Sequence, residues 1–133
     1  MIDDDARALA VAAAAVADDE HATDVLVLHV GDVLAITEYF VIASASNRRL
    51  VNAIVEEVEA QLKERVARAP LRVEGIREQQ WVLIDYGDVV VHVFLAEIRD
   101  FYEIERLYTD VPQIDWGGGA GGAPPTAADE AAG

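Results

Sequence analysis

The 133-residue sequence predicts a single α/β domain: a mixed five-stranded sheet with flanking helices, in the order α-β-β-α-β-β-β-α. Two observations carry this prediction. Apolar residues recur at helical spacing in one long central segment, and short runs rich in valine and isoleucine lie on both sides of it. A chain of this length has room for one hydrophobic core, and we expect that core within residues 1–116.

The first third of the chain predicts one helix and two strands. Aspartates at positions 3–5 precede the alanine-rich stretch Ala6–Val16, and acidic residues at a helix start complement the helix dipole. Val25–Val30 is apolar on both alternating faces, which indicates a buried strand in the centre of the sheet. Tyr39–Ser44 predicts the second strand.

The central segment predicts a long helix followed by a short strand. Ser46 or Asn47 can cap a helix that runs to about Ala69, where Pro70 ends it. Leu71–Glu74 can then form the third strand. The apolar residues of the helix form one stripe opposite a charged face, and the stripe contains Leu50, Val51, Ile54, Val55, Val58, Leu62 and Val66.

Trp81–Asp85 and Val89–Leu95 predict a hairpin with Tyr86 and Gly87 as its loop residues, which pairs Trp81 with His92. One face of this hairpin is then entirely β-branched and belongs to the core. The other face mixes aromatic, charged and aliphatic residues, as protein-binding surfaces do. The alternative is that Trp81 packs under the last helix and the aspartates only close the turn. The mixed face contains Trp81, Leu83, Asp85, Asp88, Val90, His92 and Phe94.

A last helix is predicted for Glu97–Tyr108, and a flexible tail rich in glycine, alanine and proline for residues 117–133. Tyr102 lies beside the apolar stripe of this helix, so it is either a partly buried core residue or a contact residue. The stripe that should pack against the domain contains Ile98, Phe101, Ile104, Leu107 and Tyr108.

The net charge of −15, with a single lysine, argues against nucleic acid as the main contact. A basic protein is the more plausible partner, although acidity can also serve solubility alone. The chain has no cysteine, no apolar run long enough to span a bilayer and no basic leader, so we expect a cytoplasmic protein.

Enzyme signatures are weak in this sequence. There is no Gly-x-Ser-x-Gly elbow and no glycine-rich phosphate loop. Asp85, Asp88 and His92 can share one face, but they are a sparse set of ligands for a metal. We therefore expect no catalytic residue, no metal and no cofactor.

Two motifs near the end of the chain are specific: a Trp…Asp-Tyr-Gly-Asp…His block at positions 81–92, followed by an Arg-x-Phe-Tyr-x-x-Glu helix at positions 99–105. Ile36–Ala43, Ser46–Arg48 and Val73–Gly75 add to them. With these segments the chain resembles the ribosomal silencing factors, also called the Iojap-like family, over roughly residues 5–110.

The resemblance implies a fold similar to nucleotidyltransferases without their activity, and a homodimer. It also implies binding to large-subunit ribosomal protein number fourteen, which blocks subunit joining when nutrients are scarce. Trp81 and Tyr102 are then the best candidates for partner contacts. The further candidates are Asp85, Asp88, His92 and Arg99.

Two alternatives stay open from the sequence. One is a ribosome-assembly factor with no silencing role, which would use the same surface. The other is a metal-dependent enzyme that handles nucleotides on the same scaffold.

Overall fold

The computed structural model describes residues 2–118, with side chains from residue 5 onward. It confirms the predicted α/β domain, with three α-helices and a mixed five-stranded sheet. All but the first two residues of the tail predicted at 117–133 lie outside this range. No helix in the described part of the chain is long and apolar enough to cross a bilayer. The elements are α1 (Ile2–Asp19), β1 (Thr23–His29), β2 (Tyr39–Ala45), α2 (Arg48–Val66), β3 (Arg72–Glu74), β4 (Trp81–Asp85), β5 (Val89–Leu95), α3 (Ala96–Tyr102) and a 3-10 helix (Ile104–Tyr108).

The sheet is built around one parallel pair of strands. Its strand order is β1-β2-β5-β4-β3, in which β2 and β5 run parallel and the other neighbours are antiparallel. Because side chains alternate between the two sides of a strand, the sheet has two distinct surfaces. α1 and α2 cover one of them, the helical face, while α3 and the 3-10 helix lie against the other, the second face.

The helical face holds the main core. In α1 the buried residues are mostly alanines, among them Ala10 and Ala14, and these small side chains let the helix lie close to the sheet. Asn47 caps α2, because its Oδ1 accepts a hydrogen bond from the Leu50 N–H at 2.8 Å. The predicted apolar stripe of α2 is buried at Val51, Ile54, Val55, Val58 and Leu62.

Helix α2 ends earlier than predicted. We expected it to reach about Ala69, before Pro70, but it stops at Val66 because Ala67 adopts a left-handed conformation with φ of 57°. The Ala67 N–H donates to the Lys63 carbonyl at 3.1 Å, which closes the last turn. Val66 was expected in the buried stripe and is instead 38% exposed at the end of the helix.

Strand β1 lies at the edge of the sheet, so its predicted central position is wrong. Its outer edge is covered by segment 111–116, which follows the 3-10 helix. The Ile114 N–H donates to the Val27 carbonyl at 2.8 Å, and the Trp116 indole N–H donates to the Val25 carbonyl at 3.2 Å. The apolar pattern of β1 is therefore explained by packing on both of its faces and by segment 111–116 along its outer edge.

The β4–β5 hairpin has a different register from the predicted one. We expected Trp81 to pair with His92, but Trp81 pairs with Phe94, and His92 pairs with Leu83. The loop lies one position later and begins at Gly87, whose φ of 92° glycine adopts without strain. Each residue changes its partner by two positions. Since side chains alternate with a period of two, the predicted division of the paired strands into two faces is retained.

The single helix predicted for Glu97–Tyr108 is divided into α3 and the 3-10 helix. Between them, Glu103 has a left-handed conformation with φ of 48°, which an α-helix cannot continue through. The break changes the direction of the second half, so Ile104 is buried. Phe101 and Leu107, which we expected to pack, are instead 78% and 76% exposed.

We predict that Trp116→Ala destabilises the domain by about 3 kcal/mol, because it removes a buried ring and its hydrogen bond to β1. Urea unfolding followed by circular dichroism measures the change. Phe101→Ala is the matched control, since that ring is exposed, and its effect should stay under about 0.5 kcal/mol. Equal losses for both variants would contradict the position of segment 111–116.

Candidate partner-binding site

Aromatic rings from five elements gather on the second face of the sheet. Strand alternation places the rings of β2, β4 and β5 on this side, and α3 and the 3-10 helix add rings from above. We call this group the aromatic cluster. It contains Phe40, Trp81, His92, Phe94, Tyr102 and Tyr108.

Trp81 connects the members of this cluster. Its ring stacks on Phe94 with centroids 4.7 Å apart and lies 5.1 Å from the ring of Tyr102. Its indole N–H donates to Nδ1 of His92 at 3.1 Å. Trp81 is half-buried, so it is held by the domain while part of the residue stays accessible to solvent.

His92 is buried and uncharged. Burial lowers the pKa of its imidazole from 6.5 to about 3. Because Nδ1 accepts the hydrogen bond from Trp81, the ring hydrogen is on Nε2. Nε2 has no hydrogen-bond partner among the described residues. The ring also meets Phe40 edge to face, at a centroid distance of 4.5 Å.

Tyr102 lies at the exposed end of α3. Tyr102 is 53% exposed, and the adjacent Phe101 is 78% exposed. The rings of Phe101 and Tyr102 meet edge to face at 5.0 Å. Trp81, Phe101 and Tyr102 thus form one partly exposed aromatic surface, which we call the aromatic patch. Exposed clusters of this kind mark protein-interaction sites.

Arg99, one of the further candidates for partner contact, is buried. Only 5% of its surface is exposed. Its guanidinium donates to the Asp24 carbonyl at 2.6 Å and to the Ser44 hydroxyl at 2.8 Å, and it pairs with Glu105 at 3.3 Å. Arg99 therefore fastens α3 and the 3-10 helix to the β1–β2 end of the sheet.

The two aspartates of the predicted site make different contacts. Asp85 accepts a hydrogen bond from the Gly87 N–H at 2.8 Å, which closes the turn. It accepts a second one from Nε of Arg72 at 3.2 Å. Asp88 pairs with Arg68 at 2.7 Å, just beyond the end of α2. Asp85 thus remains beside the aromatic cluster, whereas Asp88 ties the hairpin turn to the chain that follows α2.

A groove of about 210 Å³ lies beside the aromatic cluster, between the loop after β1 and the strands β3 and β4. We call it the Thr37 groove. Its floor is mostly apolar and its rim carries charged side chains. It is lined by Leu34, Ile36, Thr37, Phe40, Arg72, Glu74, Leu83, Asp85, Val90 and His92.

The histidine, aspartate and glutamate side chains within residues 5–118 form no group of three placed to hold a metal ion. Asp85, Asp88 and His92, the sparse set considered from the sequence, do not converge, since Asp88 is directed to Arg68.

The structure adds functional candidates that sequence reasoning missed. Phe40 and Tyr108 contact each other at 5.3 Å in the cluster, and Thr37 lines the groove. Strand alternation in the sequence shows that Phe40 points to one side of β2. The parallel pairing with β5 is needed to show that His92 lies on the same side of the sheet. Leu107 follows the break at Glu103 and is exposed, and the local sequence gives no signal for that break.

Comparison with known proteins identifies one family. A family model described as "Ribosomal silencing factor during starvation" matches residues 3–132. The ribosomal silencing factor RsfS of Bacillus subtilis is 39% identical over 103 residues, which are 77% of this chain and 86% of that protein.

Two further relatives extend the comparison. "Mitochondrial assembly of ribosomal large subunit protein 1" of Mus musculus is 34% identical over 92 residues, which are 68% of this chain and 40% of that protein. A crystal structure of a Chromobacterium violaceum protein is 31% identical and superimposes with a TM-score of 0.71, covering 96% of this chain and 93% of that one.

We predict that His92 makes the domain less stable as the pH falls. Its folded-state pKa of about 3 lies below the ordinary value of 6.5, so between these values only the unfolded chain takes up the proton. Between pH 7.5 and 5.5, wild type should lose about 1.4 kcal/mol more than His92→Gln, which removes the titrating group. Urea unfolding at both pH values measures this difference, and parallel changes in the two proteins would show that His92 is not buried as a neutral ring.

Proposed function

Because the chain belongs to the ribosomal silencing factor family, we propose that it binds the large ribosomal subunit and lowers translation by blocking subunit joining. The proposed contact is large-subunit ribosomal protein number fourteen, on the face that meets the small subunit. The family resemblance supports this partner and the action under nutrient limitation. The mechanism is steric, so it requires no catalytic residue, metal or cofactor.

The aromatic patch is the observation that carries the proposal. Trp81 and Tyr102 are the residue types that dominate binding energy in protein interfaces. Phe101 contacts Tyr102 and extends the apolar area around them, and it is more than three-quarters exposed. Contact with a partner would remove this area from water, which is the main favourable contribution to protein association.

Charge supports a protein partner over RNA. A chain with a net charge of −15 repels phosphate and attracts basic surfaces, which ribosomal proteins commonly present. The attraction acts at long range and aids the encounter, whereas the aromatic patch supplies the contact itself. Binding should therefore weaken at high salt without being abolished.

The site residues divide into two groups under this proposal. Trp81 and Tyr102 touch the partner directly, with Asp85 and His92 beside them at the Thr37 groove. Arg99 and Asp88 act through the fold, because their ion pairs hold the elements next to the site.

A role in ribosome assembly is the second candidate, favoured by the name of the Mus musculus relative. Both roles use a surface that binds the large subunit. They differ in the state of the subunit that is bound: a silencing factor acts on mature subunits, whereas an assembly factor prefers incomplete ones.

We further propose that the protein works as a homodimer in the cytoplasm.

We predict that Trp81→Ala and Tyr102→Ala each weaken binding to purified large subunits by about 30-fold, as expected when an interface anchor is truncated. Binding is measured by co-sedimentation or biolayer interferometry. Glu56→Ala is the control, because Glu56 is exposed on α2, across the sheet from the patch.

Folding of both variants is checked by circular dichroism. Trp81 stacks on Phe94, so its removal also costs stability, whereas Tyr102 is about half exposed and should be replaced at little cost. Full-strength binding by folded Tyr102→Ala and Trp81→Ala would refute the assignment of the contact to this patch.

We also predict that the wild-type protein at saturating concentration keeps mature large and small subunits apart. Sucrose gradients of purified subunits at a magnesium concentration that supports joining measure the effect. Normal joining in the presence of bound protein would contradict silencing and leave assembly as the supported role. Tyr102→Ala at the same concentration should restore joining.

A further inference from the structure

Two polar groups on the Thr37 groove lack partners within the folded domain. Thr37 Oγ1 and His92 Nε2 are both buried, and neither has a hydrogen-bond partner among the described residues. A buried polar group without a partner destabilises a protein by about 1–3 kcal/mol. Thr37 and His92 both line this groove, so the two groups lower the stability of the free protein. A ligand that forms hydrogen bonds with them would remove that loss.

The two groups differ in what they can bind. His92 Nε2 carries the ring hydrogen, because Nδ1 already accepts from Trp81, so it can only donate. The Thr37 hydroxyl can both donate and accept. One peptide unit offers the complementary set, since its carbonyl accepts and its N–H donates.

The remainder of the groove favours an apolar side chain from a basic partner. Leu34, Phe40 and Val90 are among the apolar residues that line it. On the rim, Arg72 pairs with Asp85 at 3.2 Å and with Glu74 at 3.4 Å, so one guanidinium faces two carboxylates. The rim thus keeps an excess of negative charge, in agreement with the −15 of the whole chain.

We propose that the Thr37 groove receives one apolar residue of a basic protein segment, whose carbonyl accepts from His92 Nε2–H and whose N–H donates to Thr37 Oγ1. Lysine or arginine next to that residue would face Glu74 and Asp85. Each polar atom exposes less than 1 Å² in the free protein, so a lining side chain moves aside as the segment enters. The inference rests on the proposed function only for the identity of the partner.

Thr37→Val separates this proposal from a purely structural role. The substitution keeps the shape of the side chain and removes a hydroxyl without an internal partner, so the melting temperature should rise by about 2–4 °C. Binding to purified large subunits should weaken about five- to tenfold, because a hydrogen bond to the partner is lost. A structural hydroxyl would instead lower the melting temperature and leave binding unchanged, and that result would overturn the proposal. Thr23→Val is the matched control, since Thr23 is exposed at the start of β1.

A ribosome-free probe distinguishes failure of the groove from failure of the proposed function. The capped tripeptide Arg-Leu-Arg is titrated into the full chain, and the ¹⁵N shift of His92 Nε2 is followed by NMR. A shift on addition of Arg-Leu-Arg supports the proposed groove even if large subunits do not bind. We expect the affinity to be about tenfold lower for Glu-Leu-Glu, and about fivefold lower for Arg-Leu-Arg with the Thr37→Val variant. The absence of a shift at His92 would overturn the proposal. A shift produced by adenosine and not by the peptide would also overturn it and would assign the groove to a nucleoside.

Discussion

The parallel pairing of β2 with β5 at the centre of the sheet is the constraint on which the rest of the structure depends. Every residue of β2 is buried, so both sides of this strand must be covered. Alternation along the pair sends Val41, Val91 and Val93 to the helices, and Phe40, His92 and Phe94 to the second face. The core and the aromatic cluster are therefore the two sides of one strand pair, and neither can change without the other.

The second face is covered less completely than the helical face, and this difference creates the site. Within residues 2–118, two long helices cover one side, whereas the other has the short α3, the 3-10 helix and adjoining loops. Arg99 fixes these short elements by contacts to Asp24, Ser44 and Glu105, and what they leave uncovered is the aromatic patch and the Thr37 groove. The hydrogen bonds and the ion pair of buried Arg99 thus position the exposed apolar surface that the proposed function uses.

Local pattern predicts much of this fold. The strands Trp81–Asp85 and Val89–Leu95 are found where valine-rich alternation placed them, and the faces of the hairpin are retained despite its shifted register. The position of β1 was mispredicted, because an apolar strand covered by segment 111–116 has the pattern of a central one. The roles of Arg99 and Asp88 depend on contacts with residues distant in the sequence, which spacing does not report. Trp81 and Tyr102, in contrast, are predicted as partner contacts from the family resemblance, and their ring centroids lie 5.1 Å apart in the structure.

A site-specific photocrosslink tests the central claim, that the second face meets a ribosomal protein. A benzophenone amino acid is placed at position 102, on the aromatic patch, and in a separate protein at position 56, exposed on α2 across the sheet. After irradiation with ribosomal subunits, mass spectrometry identifies what each position has captured. We predict capture of large-subunit ribosomal protein number fourteen at position 102 and of no ribosomal protein at position 56. Capture of ribosomal RNA at position 102, or of the same protein with equal yield from both positions, would contradict this claim.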